Sequence, residues 1–270
     1  MRARFTFLCI CMKLYQLIRG EQAACTLQQW CVFSFLFCGI LFTACSKSDD
    51  PGIDPSPTDT IPTNTGMFHK LIRITNYLPN NKPATDDDPT ANLPTAFFSL
   101  EDSTGRPLEY AKTNRWDISF SGLYNSLLAP NNGKEPKNPG YGGNGKGGIY
   151  LIAKPFEEVV DVPADELMGS NKSYMTDESG AFGSGIGWYC YDWAGTIYGD
   201  GSYDKQHVAY AMKNRTIIVR TAKGNYAKIR MISLYKDALD YAQMLRKTPH
   251  PYFTFEYVLV PASSKNFDIK

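Results

Sequence analysis

Arg215 to Asp237 reads RTIIVRTAKGNYAKIRMISLYKD, and this stretch decides the fold. Two β-rich runs, Thr216 to Thr221 and Tyr226 to Tyr235, are separated by Ala222-Lys223-Gly224-Asn225, whose glycine can take the positive φ that a hairpin turn or a G1 bulge requires. The pattern predicts a β-hairpin. In its second strand Ala227, Ile229 and Met231 fall on one face and Lys228 and Arg230 on the other, which predicts a half-buried antiparallel sheet with its charged face in solvent.

Working outward, Tyr252 to Val260 (YFTFEYVLV) reads as another strand, with Phe253, Phe255, Tyr257 and Leu259 on one face and Thr254 and Glu256 on the other. Met67 to Tyr77 predicts a first strand, Phe97 to Leu100 leads through a Gly105 turn to Trp116-Asp117-Ile118-Ser119-Phe120, and Ile149 to Ile152 forms a further strand. Trp116, Ile118 and Phe120 are expected to share a core face, with Asp117 capping a turn or pairing with a cation. The fold class is therefore all-β: a single antiparallel domain over 67–270 with long loops and few short helices.

The first 44 residues are expected to be a cleaved leader rather than part of the fold. Arg2, Arg4, Lys13 and Arg19 make a basic start, and Trp30 to Ala44 is an apolar run of signal-peptide length, short of the roughly 20 residues that span a bilayer. Leu41 to Cys45 looks like a bacterial lipobox, with Cys45 as the lipidated first residue; an uncleaved membrane anchor is the alternative, and Met12 is a second candidate start. Residues 45–66, rich in Asp, Ser, Thr and Pro, read as a disordered tether. Loss of the leader moves the formal charge from +1 to about −2, which gives no electrostatic footprint for nucleic acid. Six of the seven cysteines lie in or at the end of the leader, so Cys190 alone remains and Cys-rich metal sites are excluded.

Two local motifs invite functional readings and lose them. Asp86 to Asp88 lacks the alternating ligand spacing of a calcium loop and precedes Pro89, so it reads as a solvated loop. The run Gly140 to Gly148 (GYGGNGKGG) lacks the Gly-Lys-Ser/Thr that opens a helix in a phosphate-binding P-loop, since Lys146 precedes Gly147 and a strand follows.

These elements together resemble HmuY-like proteins, a family of haem-binding surface lipoproteins of Bacteroidota. The resemblance rests on Gly187-Trp188-Tyr189, then Val219-Arg220-Thr221-Ala222, Gly224 and Tyr226-Ala227-Lys228, then Tyr252-Phe253-Thr254-Phe255 and Tyr257. It extends from about Phe97 to Pro261 through Trp116-Asp117-Ile118, Gly145-Lys146-Gly147-Gly148, Phe156-Glu157-Glu158-Val159 and Val162-Pro163-Ala164-Asp165. Ser48-Asp49-Asp50 resembles the export signal that sends such lipoproteins to the outer face of the cell. The resemblance implies haem or a related porphyrin as cofactor, a lipid anchor in the outer membrane, iron acquisition, and a TonB-dependent outer-membrane receptor as partner.

It also implies two axial side chains, His or Met, on the loops flanking Trp188: Met168 and Met175 on the first, His207 and Met212 on the second, with His207 and Met175 as the metal ligands. The loop from Gly169 to Ile186 has no histidine, so the sequence departs from a His/His pattern. Tyr189, Tyr191 and Trp193 either line a pocket or pack a sheet face. Three histidines and no Gly-x-Ser-x-Gly, no His-Glu-x-x-His and no recognisable carboxylate pair argue against an enzyme. A non-haem binding module for a glycan or protein on the same scaffold is the second reading, and a hydrolase the third.

Overall fold

The chain is seen in a computed structural model that describes residues 65–81, 83–84 and 92–270. The expected leader, Cys45, nearly all of the tether and Asp86 to Asp88 lie outside the described residues. In chain order the strands are β1 (Leu71–Tyr77), β2 (Asn92–Ser99), β3 (Thr104–Arg106), β4 (Ile118–Leu123), β5 (Leu127–Pro130), β6 (Gly148–Ile152), β7 (Tyr189–Asp192), β8 (Val208–Ala211), β9 (Thr216–Arg220), β10 (Tyr226–Ser233) and β11 (Phe253–Val260). Among the described residues the helical segments are all three-residue 3₁₀ turns. The all-β expectation holds.

The strands form a five-stranded sheet ordered β1-β11-β10-β9-β6, a four-stranded sheet ordered β3-β2-β4-β5 and the two-stranded ribbon β7-β8. Every pairing is antiparallel. The Arg215–Asp237 hairpin forms as read, with Tyr226 opposite Arg220 and Gly224 at φ +102° closing the turn through its N–H to Thr221 O at 3.0 Å. Phe253, Phe255, Tyr257 and Leu259 pack with Ala227, Ile229, Ile217 and Val219 against Phe98, Ile118 and Phe120 of the second sheet and the aromatic ribbon residues Tyr189 and Tyr191. Burying each such large side chain contributes about 1.5–3 kcal/mol, so this sandwich is the main stabilising element.

The expected half-buried sheet is corrected by the structure. A second apolar cluster, including Phe156, Val159, Met168, Ile218, Val258 and Phe267, covers part of the outer face of β9, β10 and β11, and Lys228 is only 5% exposed there. Its ammonium donates to Phe156 O at 3.1 Å and Val159 O at 2.9 Å and sits 4.3 Å from the Phe156 ring centroid. Charge on alternate strand positions thus marks a buried polar contact, not solvent. Glu256, also 5% exposed, is held by Arg73 at 2.9 Å and Arg230 at 2.7 Å.

The shared face expected for Trp116 is also corrected. Trp116 is buried but precedes β4, stacks on Phe97 at 4.3 Å and stands apart from the cluster that holds Ile118 and Phe120. Asp117 takes the turn-capping alternative: it accepts N–H bonds from Leu100 at 2.7 Å and Ala222 at 3.0 Å, and no cation pairs with it among the described residues. The glycine-rich run is a tight loop between β5 and β6 built against Asn131, whose amide donates to Thr113 O and Trp116 O at 2.8 Å each. A Cβ on Gly145 would come within 2.3 Å of Asn131 Oδ1, and one on Gly147 within 2.5 Å of Asn131 O, so only glycine passes there.

Candidate functional site

The ribbon β7-β8 carries the two loops in which the sequence placed its ligands. Its base is locked into the core: Trp188 Nε1 donates to Ser126 O at 2.8 Å, the hydroxyls of Tyr189 and Ser126 meet at 2.8 Å, and the Ala209 N–H donates to the Tyr235 hydroxyl at 2.8 Å. The tip opens outward. Trp193 is 55% exposed, Phe182 75% and Tyr203 62%, and Ile186, Ile197 and Tyr198 on the same two loops are exposed as well.

Buried carboxylates set the shape of both loops. Asp177 accepts from the N–H of Ser179 and Gly187 at 3.1 Å each and pairs with Arg215 at 2.7 Å, closing the neck of the 177–187 loop. Burial alone would raise its pKa, but the Arg215 guanidinium and these N–H donors hold it below the usual carboxylate range. Ala181 N–H donates to Tyr191 O at 2.8 Å, which lays Phe182 against the Tyr191 ring at 5.8 Å. Asp192 accepts from the N–H groups of Thr196, Ile197 and Tyr198 at 2.9, 2.8 and 3.0 Å and so folds the start of the second loop. Three donors on one carboxylate make a rigid turn.

His207 stands at the end of that loop, with φ +60°, a conformation a non-glycine residue rarely adopts. Its Nδ1 lies 2.8 Å from the Tyr191 hydroxyl, its carbonyl accepts the Tyr124 hydroxyl at 3.2 Å, and its ring meets Trp193 edge-on at 6.1 Å. Nε2 makes no hydrogen bond to the described residues. Burial, and secondarily the nearby Arg246 charge, lower its pKa, so the ring is neutral at physiological pH.

The candidate ligands do not converge. Met175 and Met212 flank the start of the ribbon: the Trp188 N–H donates to Met175 O, and the Met212 N–H donates to Trp188 O, at 3.0 Å each. Met212 also borders a cavity of about 460 Å³ with Met231, Leu239 and Tyr241. His207 sits opposite Trp193, just past the end of β7 and five residues from Trp188, which at about 3.3 Å per residue puts the two backbone positions roughly 16 Å apart. The backbone contacts thus place Met175 and Met212 at one end of the ribbon and His207 at the other. Met168 is buried in the second cluster, beneath Gly148 of β6 and remote in the fold from the ribbon tip. Among the described residues no three His, Cys, Asp or Glu side chains are grouped for a metal ion.

Of the three aromatics left open between pocket and packing, Tyr189 and Tyr191 are buried core and Trp193 is exposed. Cys190 is buried, its thiol pushed up to about 11 by burial and by the charges of Asp192 and Asp177, so it is a poor nucleophile. Sequence reading missed Phe182 and the Tyr191–His207 contact. The spacing of Tyr189, Tyr191 and Trp193 left a pocket wall and a sheet face both open, and nothing local showed that a residue sixteen positions later would meet Tyr191. A scan against protein-family models finds none that matches the chain, and a search of curated proteins finds no match.

Proposed function

We propose that the protein is a non-catalytic, lipid-anchored outer-membrane binding protein that captures haem or a related porphyrin at the ribbon tip, for delivery to a TonB-dependent receptor. The Tyr191–His207 contact carries this reading. With Nδ1 protonated and donating to the phenol oxygen, Nε2 keeps its lone pair, the arrangement that metal-binding histidines use to fix tautomer and ring orientation. His207 is then the single axial ligand, and the exposed rings of Trp193 and Phe182 offer apolar surface to a flat macrocycle. Met168, Met175 and Met212 have no part in the proposal, since none lies beside His207. The lipobox-like Leu41 to Cys45 supports the anchor.

A haem absorbance titration of the wild type and His207→Ala tests it. Saturable one-to-one binding with a histidine-type spectrum that the substitution removes supports the reading; a spectrum that survives the substitution overturns it. The exposure of Trp193, Phe182 and Tyr203 equally favours a glycan platform, because sugar rings stack on exposed aromatic faces. That reading predicts no Soret shift and loss of glycan binding in Trp193→Ala.

A further inference from the structure

A different recess, of about 520 Å³, opens beside the glycine-rich loop and shares no residue with the ribbon tip. Its walls include Asn132, Lys134, Lys146, Asp165, Arg220 and Tyr226. Three of these are cationic and one is anionic. The carboxylate of Asp165 is already engaged, by Arg220 at 2.9 Å and by the Tyr226 hydroxyl, so that pair is internally neutralised. Lys134 and Lys146 have no carboxylate within ion-pair distance among the described residues, which leaves two positive charges at the mouth.

Both lysines stand on fixed backbone. Lys146 N–H donates to Ala222 O at 3.0 Å and its carbonyl accepts Arg220 Nε at 3.0 Å, while Lys134 N–H donates to Asn132 Oδ1 at 2.9 Å. Asn132 Nδ2 donates in turn to Gly147 O at 2.7 Å, so one asparagine ties the two lysine-bearing segments together. The absent Cβ atoms of Gly145 and Gly147 are what allow this approach. The loop amides are spent on these contacts, Gly147 N–H on Asn131 O at 2.7 Å and Gly143 N–H on Gly140 O at 2.9 Å. An anion here is met by side-chain ammonium groups, not by a P-loop cradle.

We propose that this recess binds a phosphate monoester on a sugar-sized body. The ester carries about −1.5 to −2 charge at neutral pH, which matches the two uncompensated lysines. The volume leaves room for a hexose beyond the phosphoryl group, and the half-exposed Asp165 carboxylate, with more lone pairs than Arg220 and Tyr226 use, can accept from its hydroxyls.

Titration calorimetry of the full chain at low salt, with glucose 6-phosphate as probe and glucose as control, tests the assignment. Saturable one-to-one binding of the phosphate is expected, with none for glucose. Lys134→Ala and Lys146→Ala should each weaken it roughly tenfold, the double variant should abolish it, and His207→Ala should leave it unchanged, whatever becomes of the haem reading. Absence of saturation, or equal affinity in the double variant, overturns the proposal. Displacement of the probe by phosphatidic acid vesicles assigns the group to a lipid headgroup, and its persistence assigns it to a free ester.

Discussion

The carboxylate of Asp117 accepts the Ala222 N–H at 3.0 Å, joining the start of β4 to the turn between β9 and β10 across 105 residues of chain. The same carboxylate accepts Leu100 N–H at 2.7 Å, so one buried side chain caps turns of both large sheets. Burial, with the neighbouring Glu101 charge, pushes its pKa up to about 7 despite these donors. A carboxyl with a raised folded-state pKa keeps its proton while the unfolded chain loses one, so its stabilising contribution is full below about pH 4 and declines as pH rises to about 7. Unfolding free energies from urea titrations at pH 4 to 8 should therefore show an Asp117-dependent fall of at most about 1.4 kcal/mol per pH unit. Asp117→Asn should remove that slope; an identical slope in the variant refutes the assignment.

Lys228 should tolerate loss of charge less well than a surface lysine. Its ammonium satisfies Phe156 O and Val159 O, and charge-assisted bonds of this kind contribute about 1.5–3 kcal/mol each. Lys228→Ala should cost about 3 kcal/mol, leaving two carbonyls without a donor and a gap beside Phe156, whereas Lys228→Met should cost less because its stem fills the same space. Chemical denaturation of the two variants decides it: equal loss would mean that the ammonium alone holds the 156–159 segment, and a Lys228→Met variant as stable as the wild type would mean that packing of the stem does.

Lys228 also shows where reading the sequence stops. The hairpin was legible because alternation and a Gly turn are local signals, and β11 was legible for the same reason. The cover on the outer sheet face comes from Phe156, Val159 and Phe267, which lie in a 3₁₀ turn and terminal coil with no periodicity of their own. A pattern of period two cannot reveal a lid supplied from elsewhere in the chain. Trp116 misled for a related reason: it precedes the strand, so its side chain does not follow the alternation of Ile118 and Phe120. Residue type and nearness to Trp188 single out the ligand candidates, but the ribbon holds Met175 and Met212 at its start and His207 at its tip, while Met168 lies in the second apolar cluster.

Arg215 and Asp177 form a largely buried pair, their side chains 12% and 4% exposed, that closes the 177–187 loop. Arg215→Ala leaves the carboxylate unpaired and should cost about 3 kcal/mol, with faster amide exchange across residues 178–187 as the loop opens. The depressed pKa of Asp177 adds a sign: its stabilisation is present above the ordinary carboxylate pKa and is lost as pH falls through the lowered value. Unaltered exchange in the variant would show that the backbone donors of Ser179 and Gly187 suffice to hold the neck.

His207 gives haem capture a pH signature. Its folded-state pKa is lowered, so as pH falls the ring stays neutral past the ordinary histidine value near 6.5 and takes its proton only at lower pH. Imidazolium cannot coordinate iron, so affinity should hold through pH 6.5 and drop below it, whereas a thioether ligand would be insensitive over the same range. Tyr191→Phe removes the partner of Nδ1 and should weaken binding by about 10–100-fold, the usual effect of losing an outer contact to a metal-bound histidine. Because Tyr191 is buried and its ring still packs in the variant, the fold should survive, and near-ultraviolet circular dichroism checks that it does. Haem affinity that is flat from pH 8 to 5 and unchanged by Tyr191→Phe would remove His207 from the site and leave the exposed rings of Trp193, Phe182 and Tyr203 as a platform for a glycan.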